Sequence, residues 1–323
     1  MPLRAGDTGE AVRDLQQRLV AVGHDAPGDE PGRFGPGTEA AVRSFQTARG
    51  LRVDGICGRY TWSALVEAGY RLGDRLLFLR QPMLRGDDVA TLQRRLGSLG
   101  FDPGKVDGLF GPLTGVALAE FQRNVGMNAD GICGPTTVQA LERLGAKCEG
   151  PLSVAAVREI EKLRSAPRTL ADRRIVVGDG GGLNALVTTV AKVLADRGAL
   201  VAVTQHPDQS EQAAEANAVN AEVYLGFTVS PDIDGCSTAY YAGHRYESPG
   251  GRRLAEFVQE LVPETLDLKD GGVHGMALPV LLETRMPAVL CELGPPSLVV
   301  ERTAELAVAF GEVLAAWAAA GGE

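Results

Sequence analysis

Few residues in this chain stand in a pattern that could do chemistry. The most suggestive is Gly178-Asp179-Gly180-Gly181-Gly182, directly after the β-branched run Ile175-Val176-Val177 and before a helical pattern starting near Leu183-Asn184. A strand, a glycine turn and a helix can cradle a phosphate on backbone amides. This turn fits neither G-x-G-x-x-G nor a Walker A pattern, and no Lys-Ser/Thr comes after it. The five cysteines, Cys57, Cys133, Cys148, Cys236 and Cys291, form no C-x-x-C, and the histidines no H-x-x-x-H. A scattered, odd set of this kind suits reduced thiols better than a disulfide framework. A nucleophilic route through Cys291 or Cys236 needs a histidine partner. Nothing pairs either with His206, His244 or His274, which suit a surface or hydrogen-bonding role. Cys291 itself lies in the apolar run Ala288-Val289-Leu290-Cys291 and suits packing.

Composition narrows the classes of function. The 323 residues allow two or three domains at ~100–200 residues each. Lys plus Arg is 32 against 41 Asp plus Glu, a net charge of −9. Sequence-independent nucleic-acid binding needs cations that displace counterions. Aromatics at 5% leave little for base stacking. No nucleic-acid partner is therefore expected. No transmembrane segment is expected either, since the apolar stretch Val187–Val203 is broken by Lys192, Asp196 and Arg197, and a span needs roughly 20 apolar residues. The start, Met1–Asp7, has no apolar run of signal-peptide length, which predicts a cytoplasmic protein.

An internal repeat organises the first half. Gly9, Val12, Leu15-Gln16 and Leu19 recur as Gly86, Val89, Leu92-Gln93 and Leu96. Phe34-Gly35-Pro36 and Thr38 recur as Phe110-Gly111-Pro112 and Thr114, and Phe45-Gln46 as Phe121-Gln122. Asp54-Gly55-Ile56-Cys57-Gly58 recurs letter for letter as Asp130–Gly134. Three- and four-residue apolar steps predict three helices per repeat, and Asp-Gly marks the turns between them. The phenylalanines and leucines belong to a core. Gln16, Gln46, Gln93 and Gln122 could bond within the fold or contact a ligand. Next comes a charged, helix-prone connector, in which Ser153 can cap Val154–Leu163 and Pro167 ends the helical stretch. Beyond it, strands alternate with helices. The candidates are Ile175–Val177, Leu200–Val203, Val223–Phe227 and Ala288–Cys291. That alternation predicts an α/β layer fold.

These blocks resemble two families. Each repeat resembles the peptidoglycan-binding type 1 domain, with G-x-x-V-x-x-L-Q-x-x-L, D-G-x-F-G-x-x-T and F-Q-x-x-x-G-L-x-x-D-G-x-x-G-x-x-T as its marks. The second copy carries Asp107-Gly108-Leu109-Phe110-Gly111 in full, while the first has Glu30-Pro31-Gly32-Arg33-Phe34-Gly35 there. From Arg174 to Phe310 the chain resembles the zinc N-acetylmuramoyl-L-alanine amidases of type 3. Glu215–Glu222 is similar to that family's A-N-x-x-x-A-D segment, and Arg285–Gly294 to its mPavLvElGF motif. The resemblance implies residues 1–69 and 70–147 as binding repeats, 148–172 as a linker helix and 173–323 as an amidase-like domain. Together these describe a multidomain fold, two all-α three-helix repeats and then an α/β domain whose mixed sheet is flanked by helices.

The resemblance also implies where zinc would sit, and there the chain departs from it. Gly181 falls at the first histidine ligand, Asp179 near the glutamate ligand, and Thr228 at the second histidine. Of the acid/base set only Glu292, the general-base position, is kept. Catalytic zinc needs about three protein ligands and an open position. Without it, water keeps a pKa near ~15.7 rather than ~7. No metal and no other cofactor is therefore expected, zinc returning only if the chain is an active enzyme. Asp54, Gly55, Asp107, Gly108, Asp130 and Gly131 are expected to shape the repeats rather than bind, and the residues that bind a ligand are not identified. Tandem repeats with a degenerate amidase domain resemble the CwlM-type group of actinobacteria. That resemblance implies a cytoplasmic regulator or sensor of peptidoglycan precursor synthesis, binding a precursor or muropeptide and the UDP-N-acetylglucosamine enolpyruvyl transferase. An N-acetylmuramoyl-L-alanine amidase with unusual ligands and a plain peptidoglycan-binding module stay open beside it.

Overall fold

Apolar residues three and four apart build the first half. In the computed structural model, which describes residues 2–145, 154–243 and 247–321, the helices α1 (Glu10–Ala21), α2 (Pro36–Arg49) and α3 (Arg59–Ala68) form one repeat. The next comprises α4 (Asp87–Ser98), α5 (Pro112–Asn124) and α6 (Pro135–Gly145). Val12, Leu15 and Leu19 from α1 close on Phe34, Val42, Phe45 and Leu65, all nearly solvent-free. Val89, Leu92, Leu96, Phe110, Leu118, Phe121 and Leu141 repeat that core. Proline at the first turn starts α2 and α5, and the left-handed Gly50 (φ 65°) stops α2.

Each repeat is stapled twice by a buried glutamine. Gln46 Nε2 donates to Asp54 Oδ1 (2.8 Å), the Ile56 carbonyl (3.0 Å) and Thr61 Oγ1 (3.1 Å), while its Oε1 accepts from Gly55 N (2.9 Å). Gln93 makes the same set with Asp107, Leu109, Thr114 and Gly108, and Gln122 with Asp130, Ile132, Thr137 and Gly131. Gln16 keeps the pattern where the motif changes. It donates to the Glu30 and Arg33 carbonyls and Thr38 Oγ1, and accepts from Gly32 N. Asp29 takes over the helix end, accepting from Gly35, Gly37 and Thr38 amides. All four glutamines therefore bond within the fold, closing the alternative that the sequence left open.

One staple carries a pH dependence. Burial raises the Asp107 carboxyl from 3.8 to about 6, against the pull of the Gln93 bond. A folded pKa above the unfolded one contributes stability that is present at low pH and lost as pH rises from about 4 through 6. Both its hydrogen bonds end on Oδ1, which asparagine retains. Asp107→Asn should therefore unfold at higher denaturant than the parent at pH 7.5, by on the order of 1–2 kcal/mol after some solvent screening of this largely buried residue. The gap should close below pH 4.

The second compact unit begins at Ala156. After α7 (Val154–Ser165), before which Ser153 lies outside the described residues, come β1 (Arg174–Asp179), α8 (Asn184–Asp196), β2 (Leu200–Thr204), α9 (Gln209–Ala218), β3 (Val223–Val229) and β4 (Gly235–Tyr241). The chain continues through α10 (Pro249–Leu266), β5 (Asp270–Met276), α11 (Pro279–Glu283), β6 (Ala288–Gly294), α12 (Pro296–Glu301) and α13 (Thr303–Ala320). The sheet runs β2-β1-β3-β6-β4-β5. Its first four strands are parallel, β4 opposes β6, and β5 runs with β4. On one face Val177, Leu225, Val289 and Cys291 meet α8, α10 and α13 through Leu186, Leu254, Phe310 and Leu314. The other face carries α9 and α11. There the Tyr224 ring lies across Gly178 and Gly226, in register on β1 and β3, and its hydroxyl donates to Gln212 Oε1 (2.5 Å).

Strands β4 and β5 and most of α13 lay beyond the sequence signals. β5 reads Asp-Gly-Gly-Val-His-Gly-Met, poor in strand formers, and rests on its pairing with β4. α13 is long and apolar enough by length and composition to cross a membrane, although no apolar run in the sequence marked it as a span. Leu306, Phe310, Val313, Leu314 and Trp317 bury it within the domain, so it is a core helix of this unit.

Candidate functional site

In an open α/β sheet, ligands gather beyond the carboxyl ends of strands where the chain order switches direction. Here β1 has β2 on one side and β3 on the other, with α8 and α9 leaving to opposite faces. The candidate residues lie at that edge, in two rows. Asp179 pairs with Phe227, and Phe227 with Cys291. Thr228 pairs with Glu292, and Glu292 with Ser237. Side chains alternate along a strand, so the rows face opposite ways. Phe227 and Cys291 belong to the core beneath α13, which puts Asp179 on that face and Thr228, Glu292 and Ser237 on the other.

Asp179 is buried, and its carboxylate is spent on backbone. Oδ1 accepts from Gly181 N (2.7 Å) and Leu183 N (3.1 Å), closing the glycine turn over the start of α8. The strand register turns Asp179 away from Glu292, and its Oδ1 is engaged by the turn's own amides. Gly181 is exposed with φ 122° and offers no side chain. Thr228 brings a neutral hydroxyl, and its Cγ2 packs so closely against Gly180 that a Cβ there would approach it to 2.5 Å. Glu292 is half-buried between two hydroxyl-bearing strands and has no hydrogen-bond partner among the described residues. No three His, Cys, Asp or Glu side chains among the described residues come together to hold a metal. The zinc that the resemblance implies does not fit this set, since one free carboxylate falls short of a catalytic zinc's roughly three ligands. If Asp179 caps rather than coordinates, Asp179→Ala should cost about 1–2 kcal/mol, and Asp179→Asn, which keeps an acceptor at Oδ1, much less. Denaturant titration of the two variants measures the difference.

Among the described residues the cysteines are buried thiols. Burial pushes Cys236 up to about 11, Cys57 and Cys133 up to about 12, and Cys291 well above its ordinary value. Gln259 on α10 donates to Cys236 Sγ (3.6 Å) and to Thr238 Oγ1 (2.6 Å), both on β4. His206 is exposed and its Nδ1 accepts from Asp208 N (3.1 Å), while the His274 ring bonds the Gly271 carbonyl (2.8 Å). His244 and Cys148 lie outside the described residues.

Two features escaped sequence reasoning. Gln212 is the hub behind the glycine turn, donating to the carbonyls of Asp179 (2.9 Å) and His206 (2.6 Å) while holding Tyr224. A glutamine in an otherwise plain helix gives no signal of that. A shallow cleft of about 590 Å³ also opens beside the edge strand β2, lined by Thr188, Val203, Gln205, His206, Pro207 and Glu215. Asn217, by contrast, stood in a segment that resembled a family motif. It donates to the Glu283 carbonyl (2.8 Å) and accepts from Arg285 N (2.9 Å), tying α9 to the approach to β6.

The chain is similar to known proteins in both halves. The peptidoglycan binding domain family matches residues 8–65 and 85–141, and the N-acetylmuramoyl-L-alanine amidase family matches 183–298. The N-acetylmuramoyl-L-alanine amidase CwlM of Mycobacterium tuberculosis is 38% identical over 90% of this chain and 81% of its own length. The amidase CwlL of Bacillus licheniformis is 33% identical over 44% of this chain and 45% of its own. A solved N-acetylmuramyl-L-alanine amidase from Mycobacterium smegmatis superposes on 47% of this chain and 99% of its own at TM-score 0.41 and 13% identity. With two peptidoglycan-binding repeats ahead of an amidase-type α/β domain, the chain belongs to the family of the N-acetylmuramoyl-L-alanine amidase CwlM.

Proposed function

We propose that this protein is a non-catalytic member of its family, a regulator or sensor of peptidoglycan precursor synthesis that works by binding. The observation that carries the proposal is the strand-end arrangement. Asp179 is held by the amides of Gly181 and Leu183 on one face of the sheet, and Glu292 stands without a ligand partner on the other. One free carboxylate at the strand ends supplies neither a Lewis acid nor an activated water. The repeats support a glycopeptide as the ligand, namely a precursor or muropeptide. The resemblance to the CwlM-type group extends the partners to the UDP-N-acetylglucosamine enolpyruvyl transferase. The reading includes a cytoplasmic location, which the four unpaired, buried thiols of Cys57, Cys133, Cys236 and Cys291 support.

The test is binding without turnover. The full chain should bind UDP-linked muropeptide in calorimetry, or retain a precursor-pathway enzyme from cytoplasmic extract. Glu292→Gln should change neither by more than about twofold, within ~0.5 kcal/mol as for a surface change. Loss of a measurable hydrolysis in that variant, with the fold intact, would return the enzyme reading.

A further inference from the structure

The two repeats are near-copies, yet they treat the same turn differently. In the first, Glu39 and Arg43 on α2 lie over the Asp54-Gly55-Ile56 turn. Arg43 donates through Nε and Nη2 to Glu39 Oε1 (both 3.1 Å) and through Nη1 to the Val53 carbonyl (3.2 Å). Gly55 is buried beneath them, and a Cβ placed on it would come within 2.9 Å of both Arg43 Nε and Glu39 Cγ. In the second repeat the corresponding positions are Gly115 and Ala119 on α5. Gly131 is only half-buried, and a Cβ there would meet nothing closer than the Gly115 carbonyl at 3.5 Å. The carbonyl of Ala129, counterpart of Val53, receives no side-chain donor among the described residues. Asp130 is exposed beside it. Its Oδ1 is used by Gln122 and Ile132, and the backbone bonds and Gln122 hold the carboxylate below its ordinary pKa.

The first repeat therefore contains, built in, the group that the second lacks. A cation on an aliphatic stem lies along the helix and donates to the carbonyl before Asp-Gly. We infer that the notch of the second repeat is the one that takes ligand, and that it takes a peptide side chain ending in an ammonium group. The ammonium would stand where the Arg43 guanidinium stands in the first repeat, donating to the Ala129 carbonyl and the free oxygen of Asp130. The stem would lie across Gly115 and Ala119 toward the exposed Ile132. Resting on the proposed reading of the protein as a muropeptide binder, this names the diamino acid of the stem peptide as the contact and assigns it to one repeat.

The fold itself supplies the variants. Gly115→Glu with Ala119→Arg transplants the first repeat's filler, and a Cβ at Gly115 meets only Phe110 Cε1 at an ordinary 3.7 Å. Glu39→Gly with Arg43→Ala opens the first repeat's notch in turn. The probe is a soluble muramoyl tripeptide with a free side-chain amine at its third residue, titrated calorimetrically into the full chain. One site per chain is expected. Affinity should fall at least tenfold on acetylation of that amine and on filling the second repeat, with an unchanged melting temperature. The opened first repeat should add a second site. Binding that ignores both the acetylation and the Gly115/Ala119 variant overturns this assignment while leaving the muropeptide-binding reading intact. Absence of any muropeptide binding overturns both.

Discussion

Replacing Arg75 by alanine should destabilise the repeat unit by about 3–5 kcal/mol, because it strands a charge with no access to water. Arg75 comes from the segment between the two repeats. It donates through Nε to Asp88 Oδ2 (2.7 Å), through Nη2 to Asp88 Oδ1 (3.1 Å) and again through Nη2 to the Arg85 carbonyl (2.5 Å). Its guanidinium lies 3.7 Å from the centre of the Tyr70 ring. The Asp88 side chain is fully buried, while Arg75 is a quarter exposed. Removing the cation leaves a carboxylate whose other bond is the Val89 amide (2.9 Å). Removing both partners takes the buried charge away as well, so Arg75→Ala with Asp88→Ala should recover more than half of the loss. Native-state hydrogen exchange of the α4 and α5 amides reads the effect within this unit. Equal loss in the single and double variants would show that packing, not the stranded charge, sets the cost.

Gln93→Leu should be nearly as severe, at about 2–4 kcal/mol. Leucine fills similar volume but leaves the Gly108 amide and the Leu109 carbonyl without this partner, both in buried residues. The same change at Gln122 should cost less, because Gly131 is half-exposed and water can replace the lost bond. Chemical denaturation of the pair tests that order. A larger loss at Gln122 would mean that the staples are not governed by burial of their backbone partners.

These two sites also show what was readable without a structure. The glutamines were visible as a repeated letter at a fixed place, and the three-helix units emerged from apolar spacing. Whether Gln46 or Gln93 faced ligand or turn was not, since that depends on how the Asp-Gly loop folds back over the helix. Nothing in Gly86-Asp87-Asp88-Val89 marks Asp88 as buried, and the return of Arg75 onto it makes it a buried pair. In the α/β unit the central strands announced themselves by apolar runs, whereas β5 is specified by its neighbour rather than by its own residues. At the candidate site, the residues Gly181, Asp179, Thr228 and Glu292 could be picked out from the resemblance alone. Their division between the two faces of the sheet could not, because it is set by a one-residue register between β1, β3 and β6.

That division makes metal binding the most direct measurement of the account. The purified full chain, equilibrated with excess zinc and freed of loose metal by gel filtration, should retain far less than one zinc per chain and release no peptide from muropeptide. About one tightly held zinc per chain, whose removal abolishes cleavage of the muramoyl-alanine amide, would contradict it.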